Sequence, residues 1–378
     1  MLPFNWYLIG ENLYKEDLIN LLNFCAKNIT KGVKASMVIT KKILRQLDKA
    51  YATRIMNVNG ETNYLIATEG HGPCVAFNEN SLEEGTVWGG PGGTMNIVPI
   101  PGRENEFIAT QDFTPTFQAQ ESKIVHGKCD SSGNWEINPI MIIPYLHRFD
   151  IFMLNNKLFF IGATLCEAKD SKEDWSKPGK VYVAEVPDEI CKPFDLKPVL
   201  EGITKNHGFC KGKWNNRDAY LISGSEGVFV LYLPENSSDS WESEQILHHE
   251  VSDIAVCDID SDGCMELATI EPFHGSKGLI YKHIDGKLTP IHEHEYEFGH
   301  VVWGGKILNK PSFIIGGRKG NRELNCFYMD NESGQIKHFT IDNAGGPSNI
   351  SVGLKNNSNV ILAANREIGE IAIYEITE

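Results

Sequence analysis

Histidine side chains recur at equivalent points of this chain, next to short apolar segments that have the composition of β-strands. An imidazole that is neutral near physiological pH binds first-row metal ions, and it also accepts and returns protons. Both uses require several histidines at one place. Four are therefore candidate catalytic residues and candidate ligands of a divalent ion, Mg²⁺, Mn²⁺ or Zn²⁺: His147, His207, His249 and His300.

Other side chains at matching points of the sequence are suited to holding a substrate. Arginine binds a carboxylate, a phosphate or an enolate-like oxygen. Trp88, in the segment VWGGPGGT, is suited either to stacking on a sugar ring or to packing. The candidate substrate-binding residues are His71, Trp88, Arg148, Glu250, His274, Arg318 and Arg366.

An acidic turn, DIDSDG, lies within the stretch HEVSDIAVCDIDSDGCMEL. Asp258, Asp260 and Asp262 alternate along it, and the glycine that follows permits a sharp bend. Glu266 can complete the set of oxygen ligands. This spacing is typical of a site for Ca²⁺ or Mg²⁺, although a plain Asp-rich turn has the same sequence. Since the equivalent turns elsewhere in the chain lack three carboxylates, we expect any ion here to be structural and confined to one repeat.

The elements that must position these residues follow from an internal repeat. A short apolar segment ending in small residues, followed by a polar turn, occurs seven times at intervals of 42 to 61 residues. The aligned small residues are Ala67, Ala109, Gly162, Ser223, Ala268, Gly316 and Ala363. Each copy is preceded by another apolar stretch, and the turn between the two contains Asn, Gly, Asp or Pro, as is typical of a β-hairpin. Further segments with alternating apolar residues come after each copy. Four strands repeated seven times predict an all-β fold, a seven-bladed β-propeller with antiparallel blades.

The two ends of the repeat predict how the propeller closes. Only EIAIYEI remains after the second strand of the last repeat, so that blade lacks one strand. Residues 37–44, MVITKKIL, are expected to supply it as the outer strand, which removes exposed sheet edges. Residues 1–35 lie outside the repeat, and apolar residues at helical spacing predict a short packing helix there. We expect a helical extension over 1–35 and a single propeller domain over 36–378.

Propeller geometry sorts these residues by face. The inner strands all begin at one end of the central channel, here called the mouth, and the loops between second and third strands return to it. We therefore expect the candidate histidines, arginines and carboxylates to meet at the mouth. The DIDSDG turn joins a first strand to a second strand and is expected on the opposite face.

Composition excludes several classes of function. The chain of 378 residues carries 50 acidic and 35 basic residues, a net charge of −15, which argues against nucleic acid and anionic membranes as partners. No segment has the apolar length of a membrane span or the pattern of a secretory signal, so we expect a cytoplasmic protein. The nine cysteines are scattered and never form C-x-x-C, which favours reduced thiols over disulfides or a zinc knuckle.

The sequence IAVCDIDSDGCMELAT resembles the repeat of FG-GAP/VCBS-type propellers. Together with HRFDI at 147 and HEV at 249, it is similar to the propeller domain of the aldos-2-ulose dehydratase/isomerase (anhydrofructose dehydratase) family. The resemblance implies dehydration or isomerisation of a keto-sugar at a His-rich mouth. It carries over to His147 with Arg148 and to His249 with Glu250. The family's cupin domains have no counterpart here, so any step that needs the cupin metal is not implied.

The leading hypothesis is a carbohydrate-directed lyase (dehydratase) or isomerase that acts on a small keto-sugar or oxidised glycoside. A histidine would abstract a proton beside a carbonyl, with a metal ion or arginine at the developing enolate oxygen. No organic cofactor is expected, and the sequence leaves the oligomeric state open. The alternative is a non-catalytic propeller that binds a protein or glycan partner through the same rim, because fold alone does not fix function.

Overall fold

Seven copies of the repeat form seven four-stranded antiparallel sheets around one axis. The computed structural model describes residues 37–378. Strand β1 (Val38–Gln46) precedes the first complete blade. Blades 1 to 3 consist of β2 (Ala50–Val58), β3 (Glu61–Thr68), β4 (Cys74–Asn78), β5 (Glu84–Trp88), β6 (Ile97–Pro99), β7 (Glu106–Gln111), β8 (Lys123–Cys129), β9 (Trp135–Ile142), β10 (Leu146–Leu154), β11 (Lys157–Thr164), β12 (Gly179–Glu185) and β13 (Lys197–Ile203).

The remaining four blades continue this order, and the first strand of each blade lies nearest the channel. They consist of β14 (Phe209–Trp214), β15 (Arg217–Gly224), β16 (Gly227–Tyr232), β17 (Glu242–Leu247), β18 (Asp253–Cys257), β19 (Glu266–Glu271), β20 (Lys277–Ile284), β21 (Lys287–Glu295), β22 (Glu297–Ile307), β23 (Lys310–Lys319), β24 (Leu324–Asp330), β25 (Gln335–Asp342), β26 (Asn349–Lys355), β27 (Ser358–Asn365) and β28 (Glu370–Thr377). A single 3₁₀ turn, Arg366–Ile368, is the one helical element between 37 and 378.

The seven aligned small residues all lie in the second strand of a blade, and all are buried. Side chains of the same blade fill the space beside the two glycines of this set. A Cβ added to Gly162 would stand 2.4 Å from the ring of Phe160, which leaves no room for a larger residue. The period seen in the sequence therefore marks a buried position in the second strand of each blade, and the seven-bladed prediction is confirmed.

Closure of the ring also follows the prediction. Strand β1 pairs antiparallel with β28, so the last blade has the order β26, β27, β28 and β1. Lys41 on β1 reaches Glu370 at 2.8 Å and Asp342 at 3.1 Å, which ties the added strand to two neighbouring elements. The blade thus joins two distant parts of the chain, and β28 has no free edge.

The apolar core is divided among the blade interfaces. Between blades 7 and 1, for example, Leu362 and Ile371 pack against Tyr64 and Ile66. Comparable clusters fill the other interfaces. An eighth cluster, which includes Tyr51, lies under the mouth and supports its floor.

Three further expectations concern the N-terminal helix, membrane-spanning segments and the cysteines. The helix predicted over 1–35 lies outside the described residues. From 37 to 378 there is no helix with the length and apolar character needed to cross a bilayer. The eight cysteines in that range are all unpaired.

Candidate functional site

A cavity of about 280 Å³ opens at the mouth of the channel. First strands supply its floor, and loops between second and third strands supply its wall. It brings together four of the predicted histidines with two predicted arginines, His147, His207, His274, His300, Arg318 and Arg366. The other residues around it are Tyr51, Glu69, Met95, Phe113, Thr116, Phe117, Lys172 and Phe298.

Three of the floor residues are placed by the same irregularity of the sheet. Tyr51, His147 and His300 are each the extra residue of a β-bulge near the start of a first strand, where the pairing register shifts by one. A bulge leaves its extra residue outside the hydrogen-bond ladder and re-aims the side chain. Blades 1, 3 and 6 therefore use one device to turn a side chain into the cavity.

The imidazole rings form a compact group with His207 near its middle. The ring centroid of His207 lies 4.7 Å from that of His300, 4.8 Å from that of His147 and 4.9 Å from that of His274. His207 and His300 are each 1% exposed, and His147 is 3% exposed. Such spacing allows several ring nitrogens to meet at one point.

Several of these nitrogens are buried without a hydrogen-bond partner among the described residues. They are Nδ1 of His147, both ring nitrogens of His207 and Nε2 of His274. His300 differs, because its Nδ1 donates to the carbonyl oxygen of Ser348 at 2.8 Å. A carbonyl only accepts, so Nε2 of His300 keeps its lone pair. Unpartnered buried polar atoms are uncommon in native proteins and indicate a group that binds there.

The rings are held in the neutral form. Burial lowers the pKa of His147, His207 and His300 well below the usual histidine value, and the charge of Arg318 adds to this effect at His300. Burial lowers the pKa of His274 to about 3. A neutral imidazole carries the lone pair that a metal ion or an acidic proton requires.

Three of the rings are arranged as a metal site would need. Ring nitrogens of His207, His274 and His300 lie within 4.8 Å of one another. Nitrogen ligands suit Zn²⁺ or Mn²⁺ better than Mg²⁺, which prefers oxygen. Three protein ligands facing an open cavity leave a coordination position for water or substrate, as in catalytic zinc sites.

The two arginines of the wall are already paired with carboxylates. Arg318 donates to Glu367, and Arg366 donates to Glu69 and Glu367. Thr116 also donates to Glu69, at 2.8 Å. The charges of these two arginines and of Glu69 and Glu367 therefore largely cancel.

Aromatic side chains pack against the histidines of the cavity. The ring of Phe298 stacks on His274 with centroids 4.6 Å apart, and Phe113 lies 5.5 Å from His147. Phe117, His274 and Phe298 all have positive φ, at 67°, 48° and 59°. Non-glycine residues in this region are strained, and such residues concentrate at functional sites.

Five predicted site residues lie outside the cavity. His249 and Glu250 belong to the loop between β17 and β18, since the first strand of blade 5 begins only at Asp253. His249 is half exposed and bonds to Glu271 at 2.8 Å. Glu250 accepts hydrogen bonds from Lys205 and Ser225.

His71, Trp88 and Arg148 are the other three. His71 is exposed on the rim. Trp88 is buried, donates its indole N–H to the carbonyl of Pro91 and packs on Phe107, so its role here is packing. Arg148 points past the histidines into the channel, because it follows the bulge residue and its side chain takes the opposite direction.

The acidic turn lies on the opposite face, as predicted, and it contains a cation of the chain itself. Carboxylate oxygens of Asp258, Asp260 and Asp262 lie within 4.8 Å of one another. The ammonium group of Lys282 lies 2.5 Å from Asp260, 2.6 Å from Asp262 and 3.0 Å from Glu266. Lys282 thus places one positive charge among the carboxylates that were predicted to bind an ion.

Tyr51 and the phenylalanines of the wall are cavity residues that the sequence analysis did not select. Tyr51 had a recognisable signal, because it occupies the same point of its blade as His147 does. The positions of Phe113, Phe117 and Phe298 depend on loop conformations that have no periodic pattern. Burial raises the pKa of Tyr51, so its hydroxyl remains protonated.

Solved structures share this architecture over nearly their whole length. The soluble aldose sugar dehydrogenase of Escherichia coli has 12% identity and a TM-score of 0.51, over 90% of this chain and 99% of that chain. The β-propeller domain of Myceliophteria thermophila Cps50 (Swd1) has 11% identity and a TM-score of 0.56, with 89% and 100% covered. A putative 6-phosphogluconolactonase of Bacteroides fragilis has 11% identity and a TM-score of 0.51, with 92% and 99% covered.

Identities this low show the fold alone, and the three proteins differ in what their names describe. No family model matches the chain, and no curated protein matches it. The resemblance to FG-GAP/VCBS propellers and to the aldos-2-ulose dehydratase family therefore rests on the quoted motifs.

Proposed function

We propose that the cavity at the mouth is the active site of a carbohydrate lyase (dehydratase) or isomerase that acts on a small keto-sugar or oxidised glycoside. The observation that carries the proposal is the cluster of buried, neutral imidazoles whose ring nitrogens lack partners. Leaving such atoms unbonded costs about 1 to 3 kcal/mol each. A ligand that binds to these nitrogens would offset this cost.

The size and charge of the cavity support a sugar-sized neutral substrate. A volume of about 280 Å³ is just below the roughly 300 to 1,000 Å³ of pockets for drug-sized ligands. The wall arginines are engaged by Glu69 and Glu367, so they add little net attraction for an anion. The half-buried ring of Phe298 offers apolar surface to the face of a sugar ring.

The roles follow from which nitrogens are free. His207, His274 and His300 would hold a divalent ion, Zn²⁺ or Mn²⁺, and such an ion would supply positive charge for a substrate oxygen that becomes negative. His147, adjacent to His207, takes the proton from the carbon beside the carbonyl. In a dehydration the departing hydroxyl takes the proton of Tyr51 and leaves as water, and the proton on His147 then restores Tyr51 through solvent.

Proton abstraction beside a carbonyl has a direct readout. The purified protein, supplied with Zn²⁺ or Mn²⁺, is incubated in D₂O with a panel of 2-keto and 3-keto sugars and their glycosides, and nuclear magnetic resonance follows deuterium uptake and loss of water. We expect exchange or dehydration of at least one substrate. His147→Ala should abolish it, whereas His249→Ala, outside the cavity, should retain it. Equal rates in the two variants would contradict the assignment.

The second candidate is recognition of a glycan or protein partner at the same rim without chemistry. A specific observation favours it: Phe117 packs near Trp175 and Phe273, at centroid distances of 5.9 and 6.2 Å, as an aromatic group at the edge of the cavity. Aromatic residues are enriched where partners bind. Glycan binding by the metal-loaded protein without any exchange or product in D₂O would favour this candidate over the enzyme.

A further inference from the structure

A second cavity lies along the channel on the other side of His207. Its volume is about 400 Å³, and first strands of all seven blades contribute to its wall. We call it the lower chamber. Its chemistry differs from that of the mouth, because its charged residues are Arg54, Arg148, Lys211, Asp150 and Asp253.

Two guanidinium groups approach the same short strand of the lower chamber from opposite sides. Arg54, from blade 1, donates Nε to the carbonyl oxygen of Ile97 at 2.7 Å. Arg148, from blade 3, donates Nη1 to the carbonyl oxygen of Met95 at 3.1 Å and Nε to that of His207 at 3.3 Å. The two acceptors on blade 2 are only two residues apart. Backbone contacts therefore hold two positive charges on either side of one strand.

Neither guanidinium has a carboxylate partner within ion-pair distance among residues 37–378. A guanidinium has five N–H donors, and these hydrogen bonds use one donor of Arg54 and two of Arg148. Positive charges removed from bulk water without a counter-charge are costly. Free donors in a forked geometry are what a carboxylate or phosphate group binds.

The two carboxylates of the lower chamber accept hydrogen bonds from groups other than the two arginines. Asp150 accepts the hydroxyl of Tyr220 at 2.7 Å, and Asp253 accepts the backbone N–H of Ile254 at 2.9 Å. The other carboxylate oxygen of Asp253 lies 3.8 Å from Nδ1 of His207. With Lys211 also at the wall, cations outnumber carboxylates in a protein whose net charge is −15.

We propose that the lower chamber is an anion site in which Arg54 and Arg148 clamp the carboxylate or phosphate group of a small molecule. The site is separate from the histidine cavity and does not depend on the function proposed for it. A phosphate and a carboxylate offer the same paired oxygens, and the two probes below distinguish them.

Isothermal titration calorimetry of the full chain at low ionic strength, with inorganic phosphate and with malonate as probes, tests the proposal. We expect at least one probe to bind. Arg54→Met and Arg148→Met should each weaken that binding about tenfold or more, since a hydrogen bond to a charged group contributes about 1.5 to 3 kcal/mol. The matched control is Arg217→Met, which removes an exposed arginine paired with Glu242.

Arg54→Lys keeps the positive charge but loses the planar, forked set of N–H donors. This variant should therefore bind the probe more weakly than the wild type and more tightly than Arg54→Met. Circular dichroism must show that each variant is folded. If neither probe binds the folded wild type at millimolar concentration, or if Arg54→Met and Arg217→Met bind a probe equally well, the anion site is refuted. A crystal soaked in the tighter probe should hold it between Arg54 and Arg148.

Discussion

The imidazole rings of His207 and His300 lie perpendicular to each other, with centroids 4.7 Å apart and an interplanar angle of 88°. His300 is oriented by its bond to the carbonyl of Ser348, whereas His207 has no bond from either nitrogen within the described part of the chain. The ring of His300 is therefore fixed by a backbone hydrogen bond, whereas both nitrogens of His207 are available to bind a ligand. This arrangement is the basis of the first prediction.

Protein purified in the presence of Zn²⁺ or Mn²⁺ should carry about one metal ion per chain by elemental analysis. His207→Ala and His300→Ala should each lose most of it, because either change leaves only two imidazoles. His249→Ala is the control, since His249 bonds to Glu271 away from the cavity. Full metal content in His207→Ala would contradict the ligand set.

Tyr51→Phe should separate binding from chemistry. The hydroxyl is the proposed acid, and general acids contribute about 10² to 10⁴-fold to rate. The variant should therefore lose that factor in dehydration while its metal content stays unchanged. Loss of metal together with activity would instead show that Tyr51 supports His300, whose ring it contacts edge-on at 5.8 Å.

Asp253 makes stability depend on pH. Its pKa is about 7 in the folded protein and near 3.8 in the unfolded chain, so between these values only the folded state holds the proton. Stability from this group is complete below pH 3.8 and falls as pH rises towards 7, by up to about 1.4 kcal/mol per unit.

Asp253→Asn removes the ionisation. Relative to the wild type it should gain about 2 kcal/mol or more in the free energy of unfolding at pH 8 and almost nothing at pH 4, as measured by urea titration. Asp218→Asn, an exposed surface change, serves as the reference. A gain that is the same at both pH values would show that the carboxyl is not neutralised by burial.

Lys282→Met should destabilise the acidic turn. The side chain of Glu266 is fully buried, and Lys282 is the cation that pairs with its carboxylate. Removing one partner of a buried pair costs about 3 to 5 kcal/mol, and partial exposure of Lys282 reduces this to about 2 kcal/mol or more. Lys213→Met, which breaks an exposed pair with Asp218, should change the free energy of unfolding far less.

The same variant tests the idea that a lysine replaces an ion. Millimolar Ca²⁺ should raise the melting temperature of Lys282→Met, because four carboxylates then face an empty space. The wild type should not respond through this turn. A Ca²⁺-dependent rise in the wild type that disappears in Asp260→Asn would mean that the ion displaces Lys282.

Two truncations test the closure of the ring and the domain boundary. A chain beginning at residue 36 keeps β1 and should fold as the full chain does. A chain beginning at residue 48 lacks β1, exposes the edge of β28 and should unfold earlier and aggregate, as seen by size-exclusion chromatography and thermal denaturation. Unfolding of the longer form would place the domain boundary before residue 36.

The repeat was predictable because one buried position in the second strand of every blade carries a small residue, such as Ala67 and Gly162. Closure was predictable because the last repeat is one strand short. Both features are periodic, and periodicity is visible in a single sequence.

The site was predictable only in part, for reasons that concern single residues. His147, His207 and His300 follow the blade period, whereas His249 is displaced from it by a longer loop before Asp253. Lys282 lies two strands beyond Asp258 in space and shares no motif with it. Bulges insert one residue without changing composition, so Tyr51 could be found only from its alignment with His147 at the same point of the blade.

The bulges at Tyr51, His147 and His300 place cavity side chains on residues that take no part in strand pairing. A residue outside the ladder can be exchanged without breaking the hydrogen-bonded pairs on either side of it, so the replacement has only to fit the buried space that these side chains fill. Replacing them together would give the same scaffold a different set of reactive groups. The fold thus offers three positions at which redesign leaves the strand pairing unchanged.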